Sequence, residues 1–109
     1  MSEIAKTPKP PYYVVIFTSI RTNVEDGYSE TNDKITELAK RQEGFLGMES
    51  ARAGLGISAI YWRDLESIQR WRNNEDHQLA KVRGIKDWYA AYHIRIAKVE
   101  REYGFVKAT

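Results

Sequence analysis

Residues 12 to 20 read YYVVIFTSI, a run of β-branched and aromatic side chains without helical spacing, and this stretch constrains the fold more than any other. Such a run dictates a strand. Its alternation puts Tyr13, Val15 and Phe17 on one face and Val14, Ile16 and Ile20 on the other. The later run ISAIYWR repeats the pattern, with Ile57, Ala59 and Tyr61 opposed to Ile60 and Trp62. A sheet built from such strands is apolar on both faces and has to be covered twice.

Helical signals are too few to cover both faces. From Asn23 onward, Tyr28, Thr31, Ile35, Leu38 and Ala39 recur at helical spacing, with Glu30, Asp33, Lys34, Glu37 and Lys40 opposite, and Gly44 is the expected left-handed cap. Residues 45 to 52 form a second strand, AGLG a turn, and ISAIYWR a third strand, giving a hairpin. Asp64 caps a second helix carrying Leu65, Ile68 and Trp71. Asn74 then starts another, over residues 75 to 83, that Gly84 closes, so the second helical region breaks in two at "NN". After Trp88, YAAYHIRIAKVEREY reads as a long last strand. The order β-α-β-β-α-β predicts an α+β, ferredoxin-like antiparallel sheet with helices on one face. The cheapest cover for the other face is the same face of an identical chain, which predicts a homodimer with a barrel-like core.

The remaining composition narrows the function classes. The 109 residues suit one domain, with residues 1 to 11, marked by Pro8, Pro10 and Pro11, as a flexible arm and residues 12 to 109 as the domain. The 17 Lys and Arg against 15 Asp and Glu alternate in sign, which leaves no footprint for nucleic acid. The strand GISAIYW also lacks the basic residue and paired aromatics of an RNA-stacking platform. There is no cysteine, so disulfides, thiolate metal sites and thiol nucleophiles are excluded. With no apolar segment approaching the roughly 18 residues of a membrane span, the expectation is a cytoplasmic protein without a membrane partner. His77 and His93 share no metal-ligand pattern with carboxylates, so no metal is expected, and "AGLG" precedes no helix that could cradle phosphate.

The stretch WRNNEDHQLAKVRG, residues 71 to 84, concentrates the candidate chemistry. It holds His77, whose imidazole is of the one side-chain type that ordinarily titrates near neutrality, with Trp71, Arg72, Asn73 and Asn74 beside it, while Tyr61, Trp62, Trp88 and Tyr92 are large aromatics elsewhere in the chain. Each has a plainer reading as well: Trp71 as core beside Leu65 and Ile68, Asn74 as a helix cap, His77 as an exposed residue in a first turn, and His93 as a surface or dimer-interface residue.

The strand YYVVIFTS, the passages QEGFLGMES and AIYWRDLESIQRWRNNEDHQLAKVRG, and the ending WYAAYHIRIAKVEREYG resemble the antibiotic biosynthesis monooxygenase domain of the dimeric α+β barrel superfamily, and most of all an uncharacterised bacterial branch. The resemblance implies a homodimer with a pocket between helices and sheet. It also implies oxygenation of a small aromatic or polyketide-like substrate without metal or flavin, for which His77 would be the base with Trp71 and Asn74 as further catalytic candidates, Arg72, Asn73 or Asn74 would steady an oxyanion, and Trp62, Tyr61, Trp88, Tyr92 and Arg72 would line the pocket for a small hydrophobic or aromatic ligand. Two alternatives share the scaffold: haem binding and degradation, and a non-catalytic small-molecule-binding or stress-response dimer. The haem-degrading subgroup has an asparagine on the first strand, a tryptophan on the second helical region and a histidine ligand about three turns further on. Here Trp71 matches, but the strand offers Phe17 and Thr18, the ligand position falls at Ala80 and Lys81, and His77 comes a turn too early. The expectation is therefore no cofactor, with haem as the alternative.

Overall fold

The computed structural model describes residues 3 to 108. Its elements run β1 (Tyr12–Arg21), α1 (Tyr28–Lys40), β2 (Phe45–Ala53), β3 (Leu55–Trp62), α2 (Leu65–Arg72), α3 (Glu75–Arg83), a π-helical turn (Gly84–Trp88) and β4 (Tyr89–Val99). The strands form one sheet in the order β2-β3-β1-β4, antiparallel throughout, which is the ferredoxin-like arrangement. Register places Val15 beside Ile60 and Ile96, and Phe17 beside Ile94, on the helix-covered face.

The core sits where α2 meets that face. Trp62 is 1 % exposed and Ile68 of α2 is equally buried. Burying roughly 200 Å² of tryptophan at about 25 cal/mol per Å² contributes about 5 kcal/mol of gross transfer free energy, so the α2 end is the best-anchored part of the fold. The cap holds α2 in place, since an Asp64 carboxylate oxygen accepts from the Ser67 backbone N–H at 2.8 Å and its hydroxyl at 2.7 Å. The Ser67 hydroxyl and then the Arg63 guanidinium hold the Asp64 carboxyl well below the usual carboxylate range.

Several local expectations need correction. Helix α1 starts at Tyr28, the first residue of the helical spacing, and the residues before it are tied to the π-helical turn: the Thr22 N–H donates to the Trp88 carbonyl at 2.9 Å. Gly44 does not cap α1, which ends at Lys40 with Arg41 as its cap. The glycine instead takes φ +89° in the turn into β2, where the Ser67 hydroxyl fills the space a Cβ would need. Gly84 does not close α3 either. Its φ of −59° is right-handed, and the helix runs on through the π-helical turn to Trp88. Strand β4 stops at Val99, and Glu102 beyond it accepts a hydrogen bond from the Tyr12 hydroxyl.

Of the segment expected to be a loose arm, residues 1 and 2 lie outside the described residues and residues 3 to 11 pack back on the molecule. The Ala5 N–H donates to Glu49 at 2.9 Å, and the Thr7 hydroxyl donates to the Tyr12 oxygen at the same distance. Arm and tail together cover the Tyr12 end of the outer face, where Tyr12 and Val14 are buried. At the other end Ile20, Leu55 and Ile57 remain 49 %, 51 % and 48 % exposed. The second face of the sheet is thus half covered by the chain itself. Among the described residues, no helix is long and apolar enough to cross a membrane.

Candidate functional site

The cavity that collects most of the candidate residues lies between the helices and the β3-β1-β4 part of the sheet, with a volume of about 300 Å³. Its apolar walls come from Val15 and Ile60 on the sheet floor, Ile94 and Ile96 on β4, and Trp62, Ile68 and Trp71 on the α2 side. Its polar groups are Arg72 from the end of α2, His77, Gln78 and Lys81 from α3, and Tyr92 from β4. This size lies at the lower end for small-molecule sites, and the balance of many apolar and few polar groups is typical of them.

Local sequence explains how His77 enters it. Asn74 caps α3 by accepting from the His77 N–H at 3.1 Å, which sets His77 as the third residue of the helix. From there the ring turns back across the break between α2 and α3. It stacks on the Trp71 indole at 4.5 Å between centroids and 11° from parallel, and its Nδ1 lies 3.1 Å from the Trp71 carbonyl oxygen. A carbonyl can only accept, so this bond requires a proton on Nδ1 and leaves Nε2 as the lone pair. Among the described residues Nε2 has no hydrogen-bond partner. Burial pushes the imidazole pKa below its ordinary 6.5; the Trp71 carbonyl opposes this, and the Lys81 and Arg72 charges reinforce it. The result is an imidazole held in one orientation and one tautomer.

Trp71 in turn lies 6.3 Å from Trp62, which meets Phe45 edge-on at 5.7 Å, so the imidazole ends an aromatic column rooted in the core. A second, smaller cavity of about 150 Å³ lies on the α1 side of the imidazole, with Tyr28, Asn32 and Tyr89 on its walls and Lys81 shared between the two. His77 therefore borders two spaces at once.

The structure brings together His77, Trp71, Trp62, Tyr92 and Arg72 but not the other candidates. Asn74 acts as a cap and does not line the cavity; Asn73 is the C-terminal cap of α2. Tyr61 is on the opposite face of the sheet, edge-on to Tyr12 at 5.9 Å, where its hydroxyl donates to Glu49 at 2.6 Å. Burial first, and then the Glu49 carboxylate, push the Tyr61 hydroxyl up to about 12. Trp88 is buried beneath Arg83 with its indole N–H donating to the Asp26 carbonyl at 3.0 Å; it borders the smaller cavity and the outer groove between α1 and α3. His93, paired with Thr18 in the sheet, is exposed on the outer face. Among the described residues no group of His, Asp and Glu could hold a metal ion. Sequence reasoning missed Gln78 and Lys81, although Lys81 falls one helical turn after His77 and so shares its face.

Comparison with known proteins bears on the family and the fold. The family model for antibiotic biosynthesis monooxygenase matches residues 11 to 83. The uncharacterized protein YqjZ of Bacillus subtilis is 44 % identical over 111 residues, covering 100 % of this chain and 97 % of its own. A jasmonate monooxygenase of Pyricularia oryzae is 35 % identical over 49 residues, 45 % of this chain and 23 % of that protein. Among solved structures, the cofactor-independent oxygenase SnoaB of Streptomyces nogalater superposes with a TM-score of 0.71 at 9 % identity, covering 85 % of this chain and 97 % of that one. At that identity the likeness is one of fold.

Proposed function

The chain belongs to the antibiotic biosynthesis monooxygenase family, and on that premise we propose that it oxygenates a small aromatic or polyketide-like substrate using neither metal nor flavin, with His77 as the base. The observation that carries this reading is Nδ1 of His77 lying 3.1 Å from the Trp71 carbonyl oxygen, which keeps the proton on Nδ1 and leaves the lone pair on Nε2 of a ring that lines a cavity with largely apolar walls. A phenol or enol placed there gives its proton to Nε2, and the electron-rich anion passes an electron to molecular oxygen. The two radicals combine at carbon. One oxygen atom stays in the product as a carbonyl and the other leaves as water, so all the electrons come from substrate and no external reductant is needed. Val15 and Ile60 on the sheet floor, with Trp62 and Ile68 behind them, limit the water that could intercept the peroxide. Trp71 is a positioning residue, and its face also steadies the imidazolium that forms, by about 0.5–2 kcal/mol.

The SnoaB description, cofactor-independent oxygenase, and the jasmonate monooxygenase description both support this reading. The size of the cavity argues against the haem alternative, because about 300 Å³ is at the bottom of the range for drug-sized ligands and a tetrapyrrole is larger than those. Titration with haemin tests the point, with an unchanged Soret band expected. A homodimer closing over Ile20, Leu55 and Ile57 belongs to the same reading, since that patch is apolar and uncovered. The test of the activity is oxygen uptake with anthrone, whose enol form is a phenol, compared between the wild-type protein and His77→Gln.

A further inference from the structure

The polar groups of the His77 cavity are unbalanced in charge. Arg72 and Lys81 both line it, and no carboxylate does. The smaller cavity behind the imidazole has no carboxylate on its walls either. Neither Arg72 nor Lys81 forms an ion pair among the described residues, although the chain pairs Lys40, Arg63, Arg70 and Arg83 with acids. Two unpaired cations at the exposed mouth of an apolar cavity form a recognition pattern for an amphipathic anion. Arg72 is also fixed at its backbone, where its carbonyl accepts from the Gln78 side-chain amide and ties the start of α3 to the end of α2.

We propose that the cavity takes an apolar carboxylic acid, its carboxylate paired with Arg72 and Lys81 and its hydrophobic body against Ile60, Ile94, Ile96 and Trp71. This deepens the oxygenase reading by naming the substrate class, and it solves a difficulty within it. A proton arriving on His77 would meet two cations, from Arg72 on α2 and Lys81 on α3, which disfavour it. The other titratable groups around the ring are the hydroxyls of Tyr92 and Tyr89 from β4 and Tyr28 from α1, and no carboxylate is among them. A bound carboxylate offsets both charges, so the ligand that is to be deprotonated makes the base stronger on arrival.

The experiment is calorimetric titration of the full chain, without oxygen, using 2-naphthoate and its neutral analogue 2-naphthalenemethanol. Naphthoate is expected to bind about tenfold tighter or more, the margin of a charge-assisted hydrogen bond over a neutral one. The preference should shrink with added salt. Arg72→Met with Lys81→Met should remove it, and Lys81→Arg should retain it; both positions are exposed, so thermal melts of these variants serve as the folding control. Proton NMR of His77 should show its pKa rising on naphthoate and staying fixed on the alcohol. Equal affinity for acid and alcohol, or a preference that survives the double substitution, would overturn the proposal. Because oxygen is absent from the titration, naphthoate selectivity together with no oxygen uptake when anthrone is supplied in air would sink the oxygenase reading alone.

Discussion

The imidazole of His77 lies parallel to the indole of Trp71, 4.5 Å away, while its Nδ1 donates to the carbonyl of that same residue. One residue thus sets both the orientation and the tautomer of the imidazole, and it uses a different part of itself for each. The carbonyl belongs to the backbone at the end of α2, so substitution of the side chain separates the two effects.

Trp71→Leu keeps the carbonyl and removes the face. It should cost about 2–4 kcal/mol in urea denaturation, as expected for a large aromatic truncated beside the core. The His77 pKa, followed by NMR, should move up toward 6.5, since burial is the main cause of its depression. An unmoved pKa would mean that other groups bury the ring.

The pH dependence has a definite sign. A base works only when unprotonated, so kcat/KM, which reports the free protein, should rise through an ionisation below 6.5 and level off above it. Stability follows the same group: the unfolded chain takes up the proton first, so the contribution of neutral His77 is present above 6.5 and is lost as pH falls from there toward the lower folded value. Denaturation of the wild-type protein and His77→Gln across this window should show the difference between them shrinking toward acid. A difference that grows toward acid would contradict the assignment.

Two left-handed glycines should respond differently to alanine. Gly54 has φ +90° and open space around it, so Gly54→Ala costs only the backbone penalty of about 1–2 kcal/mol. Gly44→Ala adds a clash with the Ser67 side chain, which is itself fixed by Asp64, and should cost well beyond that. Thermal melts of the two variants check the order; equal costs would mean that Ser67 moves aside.

The uncovered half of the outer face predicts assembly. Ile20 lies opposite Leu55 and Thr18 opposite Ile57 in the β1-β3 register, so the patch is continuous across two strands. Light scattering should give twice the 12.7 kDa chain mass, and Ile57→Lys should shift it to the monomer by placing a charge in the patch. A wild-type monomer at micromolar concentration would remove the dimer from the account.

Much of the fold was legible because it rests on short-range rules. Alternation in residues 12 to 20, the Asp64 and Asn74 caps and the break at Asn73 and Asn74 all appear where local patterning puts them. Gly44 and Gly84 misled because a glycine near a helix end reads as a cap, whereas Gly44 answers to Ser67 across the fold and Gly84 continues into a π-helical turn. In the site, His77, Trp71 and Arg72 were visible as neighbours in one stretch. Tyr61 was misplaced because an aromatic in a two-faced strand gives no sign of which face the helices take. Lys81 was overlooked because a lone lysine on a helix reads as solvated until the cavity beneath it, free of carboxylates, is known.

The most direct measurement is oxygen uptake by chelator-treated protein supplied with anthrone, with and without a ring carboxylate, under labelled oxygen. The account predicts conversion to the quinone with one labelled atom in the product and the other in water, faster for the carboxylate. Loss of a general base should slow the reaction about 10²–10⁴-fold in His77→Gln. No uptake above the uncatalysed rate with either compound, or uptake indifferent to His77→Gln, would contradict it.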